Sequence, residues 1–394
     1  MPGFLVRSDF PTSHFSLTNR NQNNPLGITR YSDLLRLFMV LVIRISFLSL
    51  LLAGVAANSV AQSKKLAPIT AVVECTQASA KGQIRQFVFD GNKETYFATE
   101  KNASAKDNFT LTFEKPVKVK TLEVLTGKPK GEDALKEANL EISEDGKTFQ
   151  TVGKFQEGQA TRKLDGKTVL AIRIQPTEDL KYPLTIREIV VDSEPAVRHF
   201  KYPVEFTIDV SDAPEMKEWT EKVARICERQ YTMINEELKS EGFKPARSIR
   251  LTMKNDYDGV AYASGSRIVG SVKFFKSHPE DMGAFVHETV HVVQQYRTRG
   301  NPGWLVEGIA DYIRFFKYEP GKAGRLNAER ARYNGSYRTT AAFLNYLSEK
   351  YDPLIVQKLN KMLREGEYKE EAFQVLTKKT VQELDEEWRA SLKK

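Results

Sequence analysis

The 394-residue sequence predicts two domains of different class, an all-β sandwich followed by an α+β domain organised around one helix. Three observations carry that expectation. Short apolar or alternating runs, punctuated by turn residues, recur from 64 to 192. From about Val204 the pattern turns to helical periodicities mixed with a few strands. The stretch 286–312 then holds His287-Glu288-x-x-His291, a Gly/Pro turn, and Glu307 and Asp311 spaced i and i+4.

In the first domain the runs are 86–89, 109–113, 121–125, 138–143, 169–175 and 186–191. Asp90-Gly91, Gly127, Asp145-Gly146 and Asp165-Gly166 separate them, as regular short strands require. Residues 193–203 contain Pro195 and Pro203, show no period, and read as the linker. In the second domain, 204–394, strands are expected at 204–210, 248–253 and 268–275. A strong helix is expected over 214–242, where Trp219, Val223, Ile226, Tyr231, Ile234 and Leu238 recur at helical spacing. A helix over about 280–297 buries Met282, Phe285, Val286, Val290 and Val293, and another covers 304–318. Four more are expected near 337–351, 352–365, 368–377 and 380–392.

Upstream, 1–38 is polar and Asn-rich with no sustained period. From Met39, a candidate start, Arg44 precedes an apolar run, 45–57, and small residues Ser59-Val60-Ala61. That is the plan of a secretory signal peptide over about 39–61, cleaved after Ala61. The run is too short for the roughly 20 apolar residues of a spanning helix, so export without a lasting membrane span is expected over a membrane anchor. The mature chain would be secreted, periplasmic or at the cell surface.

The composition is ordinary for a soluble protein, 41% hydrophobic and 28% charged. A net charge of +8 suits acidic surfaces, but Lys and Arg alternate with Asp and Glu, without the basic block that nucleic-acid binding requires. No nucleic-acid partner is expected. Cys75 and Cys227 belong to neither a CxxC nor a Cys/His pattern, so two free thiols are expected and a sulfur-built zinc site is excluded.

The chemistry lies in 286–312. On a helix, His287 and His291 share one face a turn apart and can grip one metal ion. Neutral imidazoles suit zinc, which needs a third protein ligand and one open position for catalysis. Glu307, opening the next helix, is the leading third ligand, and Asp311 can hydrogen-bond the far nitrogen of His287. Glu288 suits the general base for a zinc-polarised water. No histidine lies between Val292 and Gly300, which points to a glutamate third ligand. Tyr337 and Tyr333 are both candidates for the oxyanion partner, and 268–275 for an edge strand that pairs with an extended peptide. Gln294 and Gln295 either line the cleft or face solvent.

Two stretches resemble known families. FDGNKETYFAT, NFTLTFEKPVKVKTLEVLTG, LEISEDGKTFQTVGKF and TIREIVVD resemble the discoidin, or coagulation factor 5/8 type C, domain. That resemblance implies a jelly-roll-like sandwich and a carbohydrate- or surface-binding module. It also implies a structural Ca²⁺ at Asp90, Thr95 and Glu188 with carbonyls near Asn92, an oxygen-only set suited to a hard cation. The alternative is a plain turn at 90–92 and a surface Glu188. DGVAYASGSRIVGSVKFF, GAFVHETVHVVQQY, NPGWLVEGIADYIR and SYRTTAAFLNYLSEKY resemble the basic secretory protein peptidases of plants and bacteria. That resemblance implies a zincin-like metallopeptidase fold and a zinc-dependent endopeptidase acting on peptide or protein, with His287, Glu288, His291, Glu307 and Asp311 at its motif positions. The rival expectation is a non-catalytic carbohydrate- or surface-binding protein with a structural zincin domain.

Overall fold

The computed structural model describes residues 66–296 and 300–393; the expected signal segment at 39–61 and the stretch before it lie outside the described residues. The first domain is all-β: β1 (Ala71–Cys75), β2 (Phe97–Asn102), β3 (Phe109–Thr126), β4 (Ala138–Ser143), β5 (Gln150–Lys154), β6 (Gln159–Pro176) and β7 (Pro183–Glu194). The strand order is β2-β7-β3-β6-β4-β5, with β1 also on β3 and every pairing antiparallel. The two longest strands, β3 and β6, shift register between Thr112 and Val117 and again between Val119 and Thr121. Such irregularities bend a strand. The first part of β3 therefore pairs with β1 and the end of β6, and the second part with β7 and the start of β6. Two layers share two bent strands, and that makes the sandwich.

Alternation fills it. Phe109, Leu111, Phe113, Val117, Val119, Leu122 and Val124 along β3 are all buried, with Phe97 and Phe109 rings 5.0 Å apart. Each such side chain contributes roughly 1.5–3 kcal/mol of burial. The expected strand at 86–89 is instead a 3₁₀ turn, Arg85–Phe89. All of Gln86, Phe87, Val88 and Phe89 are buried, which a half-exposed strand cannot achieve, and Gln86 Oε1 accepts a hydrogen bond from the Val204 N–H at 2.9 Å. Residues 193–203 are tied to the sandwich: the Ile69 N–H donates to Ala196 O, the Arg198 N–H to Ile69 O, and the Phe200 N–H to Phe89 O.

The second domain begins with β8 (Glu205–Asp209) and, after a 3₁₀ turn, α1 (Lys217–Glu237). Next come β9 (Ser248–Lys254), β10 (Ala261–Ser264) and β11 (Arg267–Ser271). Then follow α2 (Val272–Ser277), α3 (Gly283–Gln294) and α4 (Gly303–Tyr312), which runs on as a π-turn to Tyr318. The remaining helices are α5 (Tyr337–Lys350), α6 (Ile355–Glu365), α7 (Ala372–Thr377) and α8 (Val381–Ser391). The sheet order is β10-β11-β9-β8, parallel except for β10. The run 268–275, expected as one edge strand, is divided: β11 ends at Ser271, whose hydroxyl accepts the Phe274 N–H and caps α2. β11 is also interior, and the edge belongs to β10. Gly270 sits where an added Cβ would meet the Phe285 ring and the Met253 sulfur, so its lack of a side chain lets α3 press on β11. Both cysteines are free, Cys227 fully buried and Cys75 partly so. Among the described residues no helix is long and apolar enough to cross a membrane.

Residues 66–394 form one compact unit, and a buried ionic cluster joins its two parts. Arg85, from the sandwich, reaches Glu205 at 2.6 Å and Glu228 of α1 at 3.2 Å. Glu228 also accepts from Arg225 at 2.8 Å and from the Phe206 N–H at 2.8 Å. The Ser79 hydroxyl donates to Glu205 at 2.7 Å.

Candidate metal centre

α3 and α4 carry the site. α3 is apolar almost all round, as a helix covered on most sides must be, and Arg364 of α6 donates to the carbonyls of Val293 and Gln294 at its C-terminal end. A cation there also complements the helix dipole. Gln295 follows in the left-handed conformation (φ 44°), ending the helix. α4 packs on α5 at Gly308, where an added Cβ would collide with Thr340.

His287 and His291 face each other one turn apart, with Nε2 atoms 3.1 Å apart. Glu307 Oε2 lies 3.1 Å from the first nitrogen and 3.3 Å from the second. The other ring nitrogens are held. His287 Nδ1 is 2.8 Å from Asp311 Oδ1, which can only accept, so Nδ1 carries the proton. His291 Nδ1 is 2.7 Å from Gln294 Oε1, and the same amide donates to Val306 O at 2.9 Å, which orients it. Both imidazoles thus present Nε2 lone pairs to one point, together with a carboxylate oxygen.

Three converging acceptors repel one another unless a positive charge sits among them. Burial opposes a charged His287, yet hydrogen bonds to Asp311 and Glu307 outweigh it and push the imidazole up to about 9. Burial would raise Glu307, but the two histidines hold it down at about 2. The spacing is compatible with a metal ion held among the three. Zinc–ligand distances of about 2.0–2.1 Å at tetrahedral angles put donors about 3.3–3.4 Å apart. The observed edges are 3.1, 3.1 and 3.3 Å, so the donor set fits such an ion. Among the described residues these three form the group of His, Cys, Asp or Glu able to hold one.

Glu288 is buried at the mouth of the cleft, where the Ala263 backbone of β10 hydrogen-bonds its carboxylate. Burial raises its carboxyl above the ordinary range, and the neighbouring histidines counter that only in part. The cleft has a volume of about 650 Å³, and residues of β10 line it together with Phe315, Tyr337 and Arg338. Tyr337 is exposed, its ring stacked toward His287 with centroids 6.5 Å apart. Tyr333 does not reach the site: its ring packs edge-on against Trp304 and its hydroxyl points to Glu370. Gln294 turns out to be the partner of His291, for which its i+3 position on the same helix was the available signal. Gln295 stands beyond the end of α3 and is exposed.

In the sandwich, Asp90, Thr95 and Glu188 also come together. The Thr95 hydroxyl donates to Asp90 and to Asn92 O, and the Gly91 N–H reaches Glu188 Oε1 at 3.4 Å. Glu188 is buried, its Oε2 has no hydrogen-bond partner, and burial followed by the nearby Asp90 pushes its carboxyl up to about 8. An orphaned buried carboxylate oxygen beside a second acid fits a hard cation.

The comparisons agree with this division of the chain. Residues 198–388 match the BSP family model, a peptidase of plants and bacteria, and residues 69–183 match the F5/8 type C domain. The C-terminal part is thus a peptidase-family domain and the N-terminal part a discoidin-like module. Similar solved structures include a CBM32 module from a family 31 glycoside hydrolase of Clostridium perfringens, 22% identical, covering 31% of this chain and 92% of that one, TM-score 0.28. A Streptococcus pneumoniae fucose binding module, SpX-3, is 16% identical, covering 32% of this chain and 98% of its own, TM-score 0.27. No curated protein matches the chain.

Proposed function

We propose that the chain is an exported zinc metallopeptidase in which 204–394 cuts peptide bonds and 64–192 holds it to a glycan or cell surface, with 193–203 between them. One observation carries the reading: two imidazole nitrogens, each fixed by a partner on its far side, converge with Glu307 at tetrahedral donor spacing. A Zn²⁺ ion held by His287, His291 and Glu307 would supply a Lewis acid and lower the pKa of water. Glu288 then takes the proton of the attacking water and passes it to the leaving amine. Tyr337, which lines the cleft, offers its hydroxyl to the oxygen that gains charge. β10, the edge strand beside the cleft, is where an extended peptide would pair. In the sandwich, Asp90, Thr95 and Glu188 would hold a structural Ca²⁺. A purely binding role is disfavoured, because such a protein has no use for Glu288 beside a complete donor set.

The test is a peptide library incubated with the purified protein before and after chelation. Cleavage that stops with chelator and returns with one equivalent of Zn²⁺ supports the proposal. Metal-independent cleavage, or none in the metal-loaded protein, contradicts it.

A further inference from the structure

We infer that Arg338 reads a carboxylate on the substrate, so that the cleft prefers peptides presenting one near the scissile bond. The inference rests on the peptidase reading above and adds a substrate class to it.

Arg338 is exposed in the wall of the cleft beside Tyr337. Its guanidinium carbon lies 4.5 Å from the ring centroid of the buried Phe315, a cation–π contact that holds it in the cleft wall. Among the described residues no carboxylate pairs with it. Its neighbour across the same ring, Arg314, is the contrast: that guanidinium is engaged by Asp281 and, at 2.8 Å, by Glu319. The acids of the cleft are equally committed. Asp311 is held by His287, Glu307 faces both histidines, and Glu288 is met by the Ala263 backbone. Arg338 also stands in the first turn of α5, where the helix dipole disfavours a cation and no acidic side chain of that turn compensates. A flat fork with no carboxylate partner among the described residues, in the cleft lined by His287, His291 and Glu307, suits a two-pronged carboxylate. Peptides carry that group in two places, on Asp or Glu side chains and at the C-terminus.

The experiment uses one fluorescent peptide sequence in four forms: C-terminal amide, free C-terminus, and an internal Asp or its Asn counterpart with the end amidated. Fluorescence polarisation with the metal-loaded Glu288→Gln protein reads binding without turnover. The forms with a carboxylate should bind about tenfold or more tightly than their neutral counterparts, the scale of one charge-assisted pair. Adding Arg338→Gln should bring that ratio close to one, and Arg338→Lys should restore part of it. Whichever carboxylate carries the preference identifies its source. Equal binding of all four forms, or a ratio unchanged by Arg338→Gln in protein of unaltered melting temperature and metal content, overturns the inference. The same peptides incubated with protein retaining Glu288 decide the peptidase reading separately: carboxylate-dependent binding without cleavage would uphold Arg338 and reject the peptidase.

Discussion

Exchanging Glu288 for Gln is expected to lower kcat by about 10²–10⁴-fold, the usual contribution of a positioned general base, while leaving metal content intact. The side chain is buried next to the two histidines but is not one of the three converging donors, so the ion does not need it. Gln is nearly isosteric and can keep the contact to the Ala263 backbone, but it cannot take a proton. The loss should therefore fall on kcat, with KM changing little, because the group acts on the water rather than on peptide binding. Steady-state kinetics with elemental analysis on the same preparation makes the comparison. A variant that keeps wild-type kcat with full metal would remove Glu288 from the chemistry.

Replacing Arg85 by Ala is expected to cost about 3–5 kcal/mol of stability, the usual penalty for stripping one partner from a buried ion pair. Arg85 is the bridge between Glu205 and Glu228, and both carboxylates are buried. Burial already drives Glu228 toward its protonated form, with Arg225 and then Arg85 opposing that. Without Arg85, among the described residues Glu228 keeps Arg225 as its one cation and Glu205 keeps only the Ser79 hydroxyl. The effect should be seen in urea unfolding, and Arg85→Lys should recover part of it. α1, which bears Glu228, packs against α3, the helix of His287 and His291. The sandwich and the helix of His287 and His291 thus both contact α1. A change below about 1 kcal/mol, the range of exposed pairs, would show the bridge to be dispensable.

The cluster of His287, His291 and Glu307 was legible because its grammar is local. His287 and His291 at i and i+4 must share a helix face, and Glu307 and Asp311 repeat that spacing one short turn later. Glu307 and Asp311 then lie beside His287 as the pattern requires. What the sequence hid is tertiary. Arg85 and Glu228 are 143 residues apart, and nothing in either neighbourhood names the other. β10 is four residues of small and aromatic type, too short to show alternation, so the longer apolar run after it drew the expectation of an edge strand. Tyr333 and Tyr337 are four residues apart, yet one lies in the turn before α5 packed against Trp304 and the other, opening α5, lines the cleft. The turn at Arg85–Phe89 reads as a strand by composition and is bent because all four of its last residues need cover.

Zn²⁺ titration into metal-free protein, wild type against Glu307→Ala, tests the centre most directly. The expected result is one tight site per chain in the wild type, weakened by well over tenfold in the variant, since two imidazoles remain from a set of three donors. An affinity unchanged by Glu307→Ala, or no tight site in the wild type, would contradict the centre built on His287, His291 and Glu307.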